Sequence, residues 1–271
     1  MMESGVGMLT KVEAVRTVFE EPEWYFSRRA YDIRIRTETV RQMASLGDGA
    51  RVLDIGCGDG SVSLPLLTRK TRVTMLDLSS SMLSLAQSKV PPELLGNVEI
   101  INDDFANVAF APQSFDLILC IGLLVHVVSP SDLIAKMVAS LKPNGSIIVE
   151  CSDAGHFASR LFTQMYRVKS LFRRPKYHLN AVSYVEVLDM LQACGFYPQA
   201  TYRYTTPPPG VNRLFSQDTL YKLNRGLFGH MGANRNAWLG NEYISLFSRG
   251  PLRPYETDLL SDHAHPTRIS G

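Results

Sequence analysis

The 271 residues predict an α/β fold, a doubly wound and mostly parallel sheet preceded by helices and interrupted late by a cap insertion. Three observations predict it. Residues 52–60, VLDIGCGDG, are a short apolar run that breaks into glycines, the pattern of a buried strand entering a tight turn. A second apolar run ends in a carboxylate, Asp77, 17 residues after Gly60, the span of a β-α-β unit with a short crossover helix. Strand and helix patterns then alternate to residue 152, which argues for parallel strands covered on both faces.

Taken in order, residues 8–21 and 31–46 read as two helices. Between them lies Glu23-Trp24-Tyr25-Phe26-Ser27-Arg28-Arg29-Ala30-Tyr31, dense in aromatics and arginines. Strands follow at 52–55 and 72–77, with a helix expected to start near Ser61. Another is expected after Leu78, where Ser79-Ser80-Ser81 offers a cap. Further strands are expected at 98–105 and 115–122, and within 141–149. A helix pattern over 183–191 ends at Gly195, a fitting C-terminal cap. Strands at 197–205 and 242–247 bring the sheet to seven.

Domain boundaries follow from this reading. Residues 1–48 form N-terminal helices or a lid. Residues 49–250 form the main domain, with 153–182 and 206–240 as candidate caps over a substrate pocket. Residues 251–271 lack periodicity and read as a flexible tail. An insert as long as 206–240 in a compact domain is usually functional or structured in its own right.

The chemistry starts at the glycine turn. Glycines let a ligand lie against the backbone where a Cβ would block it. Asp54 stands just before them, where a carboxylate favours a cationic group. A dinucleotide fingerprint would need glycine at Ser61, and the Walker phosphate pattern is absent. A carboxylate at the end of the second strand, Asp77, is placed to accept both hydroxyls of a ribose.

These residues, taken with an acidic turn at Asn102-Asp103-Asp104-Phe105 and the segment Leu141-Lys142-Pro143-Asn144-Gly145, resemble the motifs of class I S-adenosylmethionine-dependent methyltransferases. The likeness is close over 50–150 and loose over 183–250, and points to the small-molecule branch of that family. Asn144 departs from the family's glycine, mildly, because asparagine tolerates left-handed backbone. The resemblance implies a Rossmann-like class I methyltransferase fold and S-adenosylmethionine as cofactor, with S-adenosylhomocysteine as product. It implies Asp54, Gly56, Cys57 and Gly58 around the methionine moiety, and Asp77 on the ribose. Leu78 and Met82 would flank the adenine, Asp103 or Asp104 would face its amino group, and Phe105 would stack or offer a backbone N–H. Cys120 would close the site at the fourth strand.

His126, after the fourth strand, is the leading general-base candidate, with His156 as an alternative. Tyr25, Tyr31 and His178 are candidate substrate contacts. No metal is expected, since the four cysteines form no C-x-x-C pair and read as reduced thiols. The [DN]-P-P-[FYW] motif of adenine and amide enzymes and the double-glutamate loop of arginine enzymes are both absent. The expected acceptor is therefore a small organic molecule, methylated at O, N or C: an aromatic or hydrophobic, optionally anionic metabolite of natural-product biosynthesis.

Bulk properties agree with a globular enzyme: 45% hydrophobic and 20% charged residues, net charge +2. No apolar run spans a membrane, and the N-terminus is acidic and amphipathic rather than signal-like, so a cytoplasmic protein is expected. Charge is uneven, with eleven Lys/Arg against three acids over 154–241. That asymmetry raises two alternatives, an RNA methyltransferase using the basic 154–241 surface and a non-catalytic protein that only binds the cofactor. Nucleic acid is disfavoured, because no separate RNA-binding module is evident. Self-association is left open.

Overall fold

The computed structural model describes residues 10–20, 22–170, 180–207, 211 and 214–250, the side chains of 22–28 and 165–170 excepted. Helices α1 (Lys11–Phe19) and α2 (Pro22–Met43) precede the sheet. Then come β1 (Arg51–Ile55), β2 (Arg72–Asp77), α3 (Ser80–Ser88), β3 (Val98–Asn102), β4 (Phe115–Cys120), α4 (Pro130–Ser140) and β5 (Leu141–Ser152). The later elements are α5 (Phe157–Ser170), α6 (Tyr184–Ala193), β6 (Phe196–Tyr204), α7 (Gln217–Phe228) and β7 (Glu242–Arg249).

The seven strands form one sheet in the order β3-β2-β1-β4-β5-β7-β6. β7 runs antiparallel to both β5 and β6, and the pairings among β1–β5 are parallel. The order reverses between β1 and β4, where Asp54 stands opposite Leu119. Such a reversal opens a crevice at the carboxyl ends of the strands. Both sheet faces are buried. One carries Leu53, Ile55, Ile118, Ile147, Val149 and α4 and α6 residues, the other Val52, Val73, Met75, Leu119, Ile148 and α2, α3 and α7 residues. Strands covered on both sides read as continuous apolar runs, which is why 52–55, 72–77 and 115–120 were legible.

Several local expectations are corrected. The aromatic segment 23–31 is helical and belongs to α2. No α-helix starts at Ser61; the chain makes turns and a single 3₁₀ turn at Leu64–Leu66. The Asp59 carboxylate takes both the Ser61 N–H and hydroxyl, but Pro65 cannot supply a helical N–H, so a regular helix is denied its interior. β3 ends at Asn102 and β4 at Cys120, shorter than expected. Gly195 does follow α6 with φ +78°, the left-handed geometry of a C-terminal cap. The 206–240 insert contains α7, and residues 251–271 lie outside the described residues. No helix among the described residues is long and apolar enough to cross a membrane.

Candidate active site

β1 delivers the chain into the crevice at Gly56 (φ +68°) and Gly58 (φ +54°), a backbone that side-chain-bearing residues rarely adopt. The Gly56 and Cys57 N–H groups donate to the Leu76 carbonyl at 2.8 and 3.1 Å, which fastens the turn to β2. The Gly58 N–H donates to Asp77 Oδ2 at 2.8 Å, and the Ser79 N–H to Asp77 Oδ1 at 2.8 Å. One carboxylate thus ties the glycine turn to the start of α3. A Cβ built on Gly58 would meet nothing within 4 Å, so this side of the turn is open. A Cβ on Gly56 would meet Leu123 at 3.0 Å, so the segment after β4 borders the turn.

The electrostatics of this corner suit a cation. Asp54 is 2% exposed, and its Oδ2 takes no hydrogen bond of ordinary geometry. Burial pushes its carboxyl up to about 7 against the Ser63 hydroxyl, which works the other way, and the charges of Asp77 and Asp59 add to the rise. Asp77 is raised too, by burial first, against the hydrogen bonds from Ser79 and Gly58. A buried, unsatisfied carboxylate is expensive without a partner. The orphaned Asp54 oxygen and the open face at Gly58 fit the cationic methionine end of S-adenosylmethionine, with Asp77 next to the ribose position. Met82 is buried and Leu78 half-buried, at the start of α3.

Asp103 and Asp104 are half-buried after β3. Asp103 accepts from Asp104 N–H and Asn107, while Asp104 accepts from Ala106 N–H. The Phe105 ring is committed elsewhere: it is 4% exposed, stacks with Phe110 and has Lys136 Nζ 4.8 Å away. It is a core residue, not an exposed stacking platform. The Cys57 and Cys120 thiols are buried and raised by desolvation.

α1 reaches over this corner. At its C-terminal end, the Phe19 carbonyl accepts from Ser79 Oγ, and the Glu20 carboxylate accepts from Ser80 N–H, Ser81 N–H and Ser81 Oγ. Burial works against that carboxylate, but hydrogen bonds from Ser81, Ser80 and Ser79 outweigh it and hold it below its usual range. Phe19 also packs edge-on against His126 at 5.4 Å. At the other end, Lys11 Nζ donates to Val127 O and Asn180 Oδ1, both at 2.8 Å. α1 therefore spans from the loop after β2 to the loop after β4. Cavities of about 250 and 280 Å³ lie away from the glycine turn, one by Met43–Ala50 and Lys142, one by Ala106–Phe110 and Lys136. Neither touches the residues assigned to the cofactor.

On the other side of the crevice stands a buried polar network that the sequence reading missed. Tyr204 Oη, at the end of β6, lies 2.5 Å from Asp32 Oδ1 of α2 and 2.6 Å from Glu150 Oε1 of β5. Arg36 Nε lies 2.8 Å from the Glu150 carboxyl and 3.5 Å from Asp32. Arg29 bridges Asp32 Oδ2 at 3.1 Å. Glu242, at the start of β7, accepts from Ser152 Oγ at 2.7 Å. The signal was present: Glu150 is a charged residue inside the apolar run Ile147-Ile148-Val149, where only a partnered carboxyl survives burial.

The histidines and tyrosines separate clearly. His126 stands in the segment after β4, beside Leu123 and Phe19, and burial, with Lys11, Arg29 and Arg36 nearby, lowers it to about 4. It is neutral at physiological pH. His156 is corrected to a structural role. Its Nδ1 accepts from Ala158 N–H at 3.2 Å, which leaves Nε2 to donate to Trp238 O at 2.9 Å, so neither nitrogen is left for a base. Tyr31 is 3% exposed and packed in the core beside Asp32, a wall residue at most. Tyr25 lies in α2, with its side chain outside the described residues, as is His178 altogether.

The basic 154–241 segment is partly turned inward. Arg203 is buried and donates to Gly240 O, and Arg225 pairs with Glu38 at 2.7 Å and donates to Tyr202. Two cations of the supposed surface are thus structural, which removes support from the RNA alternative.

Known proteins share this fold. A family model described as a methyltransferase domain matches residues 52–145. A ubiquinone biosynthesis O-methyltransferase of Coxiella burnetii is 31% identical over 129 residues, covering 48% of this chain and 54% of that protein. The chain thus spans about half the length of the curated relatives it matches. Among solved structures, a SAM-dependent methyltransferase of Thermotoga maritima aligns with TM-score 0.63 at 16% identity, over 89% of this chain and 100% of the other. Magnesium protoporphyrin IX methyltransferase of Synechocystis, solved with bound SAH, aligns with TM-score 0.60 at 17% identity, over 89% and 100%. Residues 52–145 thus match a methyltransferase domain, and the strand order gives the chain the fold of the class I S-adenosylmethionine-dependent methyltransferases.

Proposed function

We propose that the chain transfers a methyl group from S-adenosylmethionine to a small organic acceptor. The observation that carries this reading is one constellation: the buried Asp54 carboxylate with its unpaired Oδ2, the open turn at Gly58 and the Asp77 carboxylate at the adjacent strand end. The cofactor supplies an already activated methyl on a sulfonium. Asp54 holds the cationic end of the cofactor, Asp77 the ribose, and Leu78, Met82 and the Asp103–Asp104 turn the adenine. What remains for the protein is to orient the acceptor and exclude water, and positioning of that kind is worth roughly 7–11 kcal/mol in favourable cases.

α1 serves as the lid that excludes water, and residues 153–182 and 206–240 as the cap. His126 is the general base, neutral and bordering the crevice, and takes the acceptor proton where the acceptor has one to lose. The relative named for ubiquinone biosynthesis supports an aromatic acceptor methylated at oxygen. A place in cytoplasmic specialised metabolism fits the same reading.

Calorimetry with S-adenosylmethionine and S-adenosylhomocysteine, followed by a scan of phenolic, carboxylic and amine acceptors for S-adenosylhomocysteine release, tests it. Micromolar binding with turnover supports enzyme action. Binding without turnover on any acceptor favours the cofactor-binding alternative. No binding of either compound overturns the proposal.

A further inference from the structure

α5 turns an apolar edge outward. Phe157 and Leu161, one helical turn apart, are both more than half exposed, while Ala158, Ser159 and Phe162 are half-buried. The segment 234–241 brings further apolar side chains alongside. His156 Nε2 meets the Trp238 carbonyl at 2.9 Å, and Asn241 Nδ2 donates to Ser159 Oγ at 3.1 Å, so this segment lies against the start of α5. Asn236 Nδ2 donates to the Leu227 carbonyl at 2.8 Å, so the same segment lies against the end of α7. Trp238, Leu227 and, one turn earlier on α7, Leu223 are exposed there. The five side chains Phe157, Leu161, Leu223, Leu227 and Trp238 are 39–63% exposed. Single exposed leucines need no explanation, but a neighbouring group that includes a phenylalanine and a tryptophan marks a surface used for contact.

The charge around this group has one sign. Residues 156–164 and 219–241 contain four Lys/Arg, namely Arg160, Lys222, Arg225 and Arg235, and no Asp or Glu. Arg225 is committed to Glu38 and Lys222 to Asp218. Arg160 and Arg235 are exposed and make no ion pair among the described residues. The sequence from 165 to 182 adds Arg167, Lys169, Arg173, Arg174 and Lys176, again without an acid. Apolar side chains that stand out of a surface of positive sign call for an occupant that is apolar and anionic at once.

A second copy of the chain does not meet that need. A two-fold contact would set this face against itself, with Arg160 and Arg235 of both copies in the same interface and no acid of this face to offset them. A helical peptide partner needs a groove to receive its apolar anchors, whereas these five side chains protrude. The two cavities described above lie elsewhere, by Met43–Ala50 and by Ala106–Phe110. A bilayer needs no groove. It takes protruding aromatic and leucine side chains into the boundary between headgroups and acyl chains, where tryptophan is favoured, and it holds Arg and Lys at anionic headgroups.

We propose that this face docks on the surface of an anionic lipid bilayer. Phe157, Leu161, Leu223, Leu227 and Trp238 enter the boundary layer, Arg160 and Arg235 lie at the lipid phosphates, and no helix crosses the membrane. The argument rests on the outer surface alone, so its outcome leaves the methyl-transfer reading untouched.

Co-sedimentation of the full chain with vesicles tests it. The vesicles are phosphatidylcholine alone, or phosphatidylcholine with an equal amount of phosphatidylglycerol. Binding to the mixed vesicles is expected, at least about tenfold stronger than to the neutral ones and weakened by salt, since each cation near an anionic surface contributes about 1 kcal/mol. Leu161→Gln with Trp238→Gln should lower binding about tenfold or more by removing apolar insertion, and Arg160→Glu with Arg235→Glu should do so by reversing charge. All four side chains are exposed, and far-ultraviolet circular dichroism checks that each double variant is folded. Absence of binding, equal binding to both vesicle types, or wild-type binding by either folded double variant overturns the proposal. So does a dimer in sedimentation velocity that Leu161→Gln with Trp238→Gln dissolves, which would make the face a contact between copies. Binding of soluble polyglutamate as tight as that of the mixed vesicles would make it a site for acidic protein, and overturns it equally.

Discussion

The glycine-turn side and the buried polar side of this crevice are built on opposite principles. Asp54, Gly56, Gly58 and Asp77 come from two adjacent strand ends, and their contacts run through backbone N–H groups. Asp32, Glu150, Tyr204 and Glu242 come from α2, β5, β6 and β7, and meet through side chains separated by 172 and 54 residues. The first arrangement tolerates change anywhere except in the turn. The second depends on the whole sheet closing in register, because β7 must lie between β5 and β6 before Tyr204 can reach Glu150.

The sharpest way to break this contrast is at Asp77. Asp77→Ala removes an acceptor of two backbone N–H groups as well as the ribose contact. S-adenosylmethionine affinity by calorimetry should fall about 10- to 100-fold, the range that ~1.5–3 kcal/mol for a hydrogen bond to a charged group gives. Unchanged affinity would remove Asp77 from the site. The corresponding cut in the buried polar network, Tyr204→Phe, should leave cofactor affinity near wild type. It should lower stability by roughly 1–3 kcal/mol in urea unfolding, because two buried carboxyls lose their shared partner. Stability equal to wild type would mean that the Tyr204 contacts carry no weight.

His126→Ala should reduce turnover by up to ~10²-fold or more with cofactor affinity retained, and full activity would make His126 a packing residue. Its folded pKa lies below the ordinary histidine value, so the unfolded chain binds the proton first. This residue therefore subtracts stability as pH falls from about 6.5 to about 4. Asp54 works in the other sense. Its folded value is raised to about 7, so its share of stability is present in acid and is lost as pH rises toward 7. Ionisation of Asp54 favours a cationic ligand, so S-adenosylmethionine affinity should rise as pH passes through about 7, and Asp54→Asn should flatten that rise. A pH-independent wild-type affinity would contradict this. The smallest effect is expected at Glu20→Ala, which frees α1 from Ser80 and Ser81. It should speed cofactor release in stopped-flow measurements while changing equilibrium affinity only a few-fold, in line with the ~0.5–2 kcal/mol of a helix cap.

The same contrast explains what could be read in advance. A glycine turn is local: Gly56 and Gly58 need positive φ, and the sequence displays that need without reference to anything distant. The strands between were legible because Val52, Ile118 and Ile148 are covered on both faces. The missing helix after Ser61 was lost to Pro65, a short-range effect stronger than the expected crossover. The buried polar network was unreadable for a different reason. Asp32 sits in a polar helix of low amphipathic contrast, and Tyr204 looks like any strand aromatic. Nothing near either residue in the chain announces that they meet. His156 misled in the same way: its partners, Ala158 and Trp238, include one 82 residues away.

The span of α1 has a kinetic consequence. One short helix is fastened at Ser79–Ser81, beside Asp77 and the glycine turn, and at Val127 and Asn180, in the segment after β4 and beyond α5. A single motion of that helix would therefore set the residence time of both ligands. Under such a gate the spent cofactor and the methylated product of the proposed reaction would leave within the same opening, and turnover at saturation would be timed by the motion of α1 rather than by the chemistry it encloses.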